Sequence, residues 1–377
     1  MIDRMVIMTY DAGGYGPAGF PPPRYPPPPG YGPPPGWQPP GYGAPGYPPP
    51  YGGPPVLKPG VVPLRPLTLS DIFNGAVAYV RANPKATLGL TTIVVVAAQI
   101  LSLVLSLVPF TFTDMVADGL GEDEASVQVI VGWVASSLAG GIATALAATV
   151  LAGMLTVVIG RSVFGAGITV GEAWKRLRPR FWPLIGFTVL KMLVFLVGLV
   201  LVVGIIGATG ALTTGVVAFA VAIPLVLAAV LAAVWLSVML TFAPVIIVLE
   251  RRDIVTAVKR SFTLIKADFW RVFGIWLLAA IVAQFIAGAV SIPFTLGGQI
   301  AFSASATTAS AMLAFALFAI GGAIGQIITG PFTAGVSVLQ YADRRIRAEA
   351  FDLVLQTGAT AGPYAPADST DDLWLTR

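Results

Sequence analysis

Cysteine and histidine are both missing from this 377-residue sequence, and only 11% of its residues are charged. Without cysteine the chain forms no disulfide and no thiolate metal site. Without histidine it has no imidazole base, no imidazole-held haem and no usual zinc site. No cofactor and no metal are expected. The formal net charge of +4 matters less than where the charges lie, and no nucleic-acid partner is expected. Scarcity of charge also excludes a soluble domain, which could not cover itself with polar surface, so the solvent must be lipid. No cleavable signal peptide is expected, because the apolar opening Met1 to Tyr10 is short and carries Asp3 and Arg4. Met8, which opens MTYDAGG, is an alternative start to Met1.

What the chain has in abundance is apolar sequence, 56% of all residues, arranged in long runs. A helix rising ~1.5 Å per residue needs about 20 such residues to cross a bilayer. Barrel strands would instead alternate over about 10 residues, and runs such as Leu193 to Val203 do not alternate. The expected fold is an all-α integral membrane bundle of six transmembrane helices. The spans fall near Ala86–Phe112, Val127–Gly160, Phe181–Gly207, Val216–Leu249, Val272–Leu296 and Ala311–Tyr341. The second, fourth and sixth exceed what a bilayer requires, so each should tilt or carry an interfacial turn.

Residues 1–66 hold 22 of the 32 prolines, in repeats such as YPPPPGYGPPPGWQPP. Proline removes backbone donors and glycine loosens the rest, so a disordered tail with polyproline II character is expected there. That tail is either a solvated spacer or a docking segment for a proline-recognising or self-associating protein partner. The transmembrane domain is expected over 67–355, followed by a disordered C-terminal tail over 356–377. Acidic residues without a basic one occupy the stretch Asp114 to Ser126, whereas Lys and Arg cluster between spans two and three, between spans four and five, and after span six. That asymmetry places both termini in the cytoplasm and the chain in the plasma (inner) membrane.

A threefold pattern accompanies the spans. Thr68-Leu-Ser-Asp71 and Thr169-Val-Gly-Glu172 fit a capping-box outline, and Asp253 can cap a third segment. Each is followed by apolar residues at helical spacing and then by a basic-aromatic or basic-proline junction, as in Arg178-Pro-Arg-Phe-Trp-Pro183. Three units of interfacial amphipathic helix plus transmembrane hairpin are therefore expected, each amphipathic helix lying in the inner headgroup layer. Candidate contacts to membrane lipid headgroups are Lys175, Arg176, Arg178, Arg180, Lys191, Lys259, Arg260 and Lys266. Candidate intramembrane polar contacts are Gln99, Gln284 and Gln326, which serve either interhelical hydrogen bonding or a hydrophilic pathway.

The segment Tyr341-Ala-Asp343-Arg344-Arg-Ile-Arg347-Ala-Glu349-Ala-Phe351-Asp352-Leu resembles the ending of an actinobacterial family of multispan proteins. Pro66-Leu-Thr-Leu-Ser-Asp-Ile-Phe73, with Asn83-Pro-Lys85, resembles the same family's approach to its first span. The region Leu64 to Leu355 is thereby similar to the membrane domain fused to some glycerophosphodiester phosphodiesterases, which also occurs alone behind proline- and glycine-rich tails. The hydrolase chemistry of those fused enzymes resides in a separate soluble barrel that uses histidine, so the resemblance implies architecture and no activity here. A non-enzymatic scaffold or envelope-associated protein, recruiting partners or anionic lipid through its tail and basic helices, is the leading expectation. The alternative is a transporter or flippase of a lipidic or apolar substrate.

Overall fold

A computed structural model describes residues 60–63, 65–117, 122–304, 307–351, 353–354 and 369–375. The proline-rich tail, apart from its last few residues, and residues 355–368 lie outside the described residues. Among those described there is helix and no strand, and six helices are long and apolar enough to cross a membrane.

The element order repeats three times. Helix α1 (Leu69–Ala82) leads through a π-helical turn, Lys85–Gly89, into the pair α2 (Leu90–Ala117) and α3 (Glu122–Ser162). Helix α4 (Val170–Leu177) leads into α5 (Phe181–Leu212) and α6 (Gly215–Met239), with α7 (Ala243–Leu249) completing the fourth span. Helix α8 (Ile254–Lys266) leads into α9 (Phe269–Ala304) and α10 (Thr308–Glu349). Each lead helix starts where its cap dictates. Thr68 and Thr169 accept from the backbone N–H of Asp71 and Glu172, whose carboxylates accept in return, and Asp253 accepts from Thr256 N–H.

The lead helices turn part of their apolar faces towards the protein and leave Leu69, Val77, Trp174 and Val255 exposed. Ile72, Ala76 and Tyr79 of α1, Ala173 and Leu177 of α4, and Ala257 and Ile265 of α8 are fully buried. Gly335 of α10 is what lets α1 approach: a Cβ there would lie 2.7 Å from the Tyr79 ring and 2.9 Å from Ala76 Cβ. The Tyr79 hydroxyl donates to the Pro331 carbonyl, and its burial raises its pKa well above the ordinary tyrosine range. Small residues do the same work elsewhere. Leu177 abuts Gly153 of α3, and Gly321 and Gly325 bring α10 against Phe294 and Ala287 of α9.

The fourth span carries the turn its length demands, at Leu240–Phe242, with Pro244 in the first turn of α7. All seven α7 residues except Pro244 are buried. Around α7 lie Leu155 and Ile159 of α3, Leu184 of α5, and Leu339 and Tyr341 of α10, so the core sits at the end of the bundle where the basic residues gather. In the other direction α5 and α6 emerge as a hairpin with no buried residue from Val189 to Ser237. A helix apolar all round is stable with such exposure only in lipid.

The C-terminal residues overturn one expectation. Residues 369–375, assigned above to a disordered tail, include a short helix, α11 (Ser369–Asp372), and a buried Trp374. That indole packs against Phe164, Tyr341 and Phe351.

Candidate functional site

At the basic end, α10 finishes in a run of buried charge. Asp343 is enclosed and accepts from Leu67 N–H at 2.8 Å, Arg347 Nε at 2.9 Å and Arg271 Nη2 at 3.2 Å. Arg271 and Arg347 also donate to the Leu67 carbonyl, so both polar groups of one peptide residue are held. The segments that carry the family resemblance, around Leu67 and Asp343, therefore meet in space. One helical turn away, the buried Glu250 carboxylate accepts from Tyr341 Oη and from Arg260 Nε. Arg260 reaches Glu349 at 2.7 Å, and Arg345 pairs with Glu349 at 3.0 Å while lying 3.9 Å above the Phe351 ring. Arg344 pairs with Asp268 and donates to the Leu264 carbonyl. Such buried charge is tolerated because each group is matched and hydrogen-bonded.

Beside this clamp is a cavity of about 320 Å³ with a strongly basic lining. Arg161 from the last turn of α3, Arg176 from α4, Arg180 from the turn before α5 and Arg251 after α7 all face it. Asp371 of α11 also lines it, 2.5 Å from Arg176 Nε.

A different cavity, of about 540 Å³, opens within the membrane-spanning region between α3, α7, α9 and α10. Among the described residues its polar lining is Thr156, Thr241, Gln284, Gln326, Thr329, Thr333 and Ser337, with no ionisable group. The hydroxyls of Thr156, Thr241, Thr329, Thr333 and Ser337 each donate back to a carbonyl one turn earlier. What they leave for a guest is acceptor lone pairs, supplemented by the two primary amides.

The sequence-derived candidates separate cleanly in this structure. Gln284 and Gln326 share the uncharged cavity, whereas Gln99 lies apart in an apolar groove between α2 and α10, so the three glutamines make no common pathway. Arg176 and Arg180 line the basic cavity, and Lys175, Arg178, Lys259 and Lys266 are exposed. Arg260, expected to meet lipid headgroups, is instead committed to Glu250 and Glu349. Lys191 is half-buried on α5 and lines neither cavity. Sequence reasoning did not single out Arg161, Arg251, Asp371 or Trp374 as site residues. The available signal was Ser369-Thr-Asp-Asp372 followed by Leu-Trp-Leu, a capping outline with apolar residues behind it.

A helical bundle with six membrane-capable spans, a core at its basic end and an uncharged polar cavity defines a polytopic membrane protein. The chain belongs to the family described as Domain of unknown function (DUF7847), which matches residues 67–344. No curated protein and no solved structure matches the chain.

Proposed function

We propose that this is a non-enzymatic protein that binds a neutral lipidic molecule in the cavity between α3, α7, α9 and α10, and presents or moves it within the bilayer. The observation that carries this reading is the cavity's chemistry: about 540 Å³, lined among the described residues by hydroxyls and two amides, without charge. A volume of that size suits a small-molecule site. An uncharged lining disfavours ion conduction and acid–base chemistry, for which intramembrane carboxylates or histidines are the usual carriers. Acceptor-rich walls favour a guest with hydroxyl or amide donors.

The test is photo-crosslinking of purified protein with a photoactivatable diacylglycerol, which carries one free hydroxyl. Labelled peptides should map to the stretches around Ala283 and Thr333, and filling the cavity with Ala280→Phe should remove them. Labelling spread evenly over the lipid-facing helices, and unchanged in the variant, overturns the proposal.

Recruitment of anionic lipid by the lead helices is a second reading. It is favoured by the exposed Lys175, Arg178, Lys259 and Lys266 near the exposed Trp174, Trp182 and Trp270. It carries the same orientation as the charge asymmetry, with both termini cytoplasmic. A cysteine placed in this naturally cysteine-free chain at Gly121 should react with an impermeant maleimide in intact cells, and one at Ala348 should not. The reverse labelling overturns the orientation.

A further inference from the structure

Glutamine is used in two ways on one pair of helices. Gln340 of α10 is buried, and its amide N–H donates to the Val272 carbonyl of α9 at 2.8 Å. That is the ordinary use of a primary amide between transmembrane helices. Gln326, about four turns earlier on α10, and Gln284 of α9 make no hydrogen bond to each other or to any other described residue. They do not lack a neighbouring helix. Beside them α9 and α10 are within contact distance, since a Cβ on Gly325 would lie 3.1 Å from Ala287 Cβ. Gln326 follows that glycine, and Gln284 stands one turn before that alanine.

An amide left unpaired away from water is costly, because its donors and its acceptor all go unsatisfied. Both of these amides line the uncharged cavity. The hydroxyls of Thr156, Thr241, Thr329, Thr333 and Ser337 already donate to their own helices, so they offer a guest their lone pairs. The amides add N–H donors. A guest hydroxyl can therefore be accepted by many groups of this wall, whereas a guest carbonyl needs a donor.

We propose that Gln284 and Gln326 are the specificity-determining residues of this cavity, and that their amide N–H groups take the carbonyls of an acyl lipid. The inference rests on the lipidic-guest reading and narrows its substrate class to lipids with ester- or amide-linked chains. Two amides match, in number, the two ester carbonyls of a diacylglycerol. A dialkylglycerol keeps the hydroxyl and the chains but has a methylene in place of each carbonyl. It should be the poorer guest.

Equilibrium binding to the full-length protein in detergent tests this, using radiolabelled diacylglycerol and the dialkyl ether of the same chain length. Wild type should bind the ester about tenfold more tightly, the scale of a hydrogen bond or two. Gln326→Met, similar in shape but without N–H donors, should lower ester affinity towards that of the ether and leave ether affinity unchanged. Gln284→Met should do the same to a smaller extent, because Gln284 is the more exposed of the two. Misfolding would remove both lipids alike, and the wild-type ratio requires no variant at all. A wild-type ratio near one, or a ratio that survives either substitution, overturns this inference and leaves the lipidic-guest reading standing. If wild type binds neither lipid, or Ala280→Phe binds both undiminished, the lipidic-guest reading falls and this inference falls with it.

Discussion

The two ends of this bundle are built on opposite principles. At the basic end, side chains interlock, each buried carboxylate is shared between arginines, and glycines admit neighbouring helices to within contact distance. The α5–α6 hairpin beyond Val189 has no buried residue, no ion pair and glycines with open space around them. Both are apolar by composition. The difference lies in what removes their apolar surface from water: protein in one case, lipid in the other. Uniformly apolar sequence such as Leu193 to Val203 therefore marks where the protein meets the membrane. Sequence mixed with Tyr, Arg and Glu, such as Tyr341 to Glu349, marks where it meets itself.

The largest expected effect comes from breaking the charge network of the packed end. Glu250→Gln removes the buried partner of Arg260 and a near neighbour of Arg345, and leaves a guanidinium enclosed with less counter-charge. Breaking a buried pair on one side costs roughly 3–5 kcal/mol. Leu199→Ala in the hairpin removes a side chain that is 57% exposed and should fall within about 0.5 kcal/mol of wild type. Thermal unfolding of the two variants in one detergent measures the contrast. Equal melting temperatures would show that the network contributes no more than lipid-facing leucine does.

A milder comparison uses one substitution at two glycines. Gly335→Ala drives a methyl into the Tyr79 ring and Ala76, an overpacking that costs about 1–3 kcal/mol. Gly198→Ala meets nothing within 4 Å and should be neutral or stabilising by about 0.5–1 kcal/mol through helix propensity. Opposite signs for the same change would sharpen the distinction between the two ends. A loss of stability at both positions would show that the hairpin has a packing partner.

Much of this was readable in sequence because it follows from local rules. Span positions come from apolar length, and Thr68, Thr169 and Asp253 announce the lead helices by capping chemistry that spans only three residues. Gln284 and Gln326 could be flagged as intramembrane polar groups from their position alone. What joins them to Thr241, Thr333 and Ser337, and separates Gln99, is tertiary placement. Partners in the charge network are farther still: Arg176 and Asp371 are 195 residues apart, and Leu67 and Asp343 are 276 apart. Periodicity carries no information on such pairs. It also cannot tell which apolar residues of an amphipathic helix face protein; Ile72, Leu177 and Ile265 of the lead helices are found in the core, whereas Trp174 and Val255 are exposed.

The smallest expected effect concerns a cap at the packed end. The Asp253 carboxylate is held below the ordinary aspartate range by hydrogen bonds from the Thr256 side chain and from Thr256 N–H at 3.1 Å. A depressed folded pKa means that the charged form favours the folded state. That contribution is complete above the unfolded pKa of about 4 and is lost as pH falls through the lower folded value. Asparagine caps a helix about as well and does not titrate. Asp253→Asn should therefore match wild type near neutral pH and lose less stability between pH 5 and pH 3. Other carboxylates of the basic end, Glu250 and Asp343 among them, are present in both proteins, so the difference between the two pH profiles isolates the cap. Profiles that run parallel would show that α8 is held by the burial of Ala257, Leu264 and Ile265 alone, with its cap contributing nothing measurable. A wild type that instead becomes relatively more stable as acid is added would reverse the sign of the linkage and exclude the charged cap.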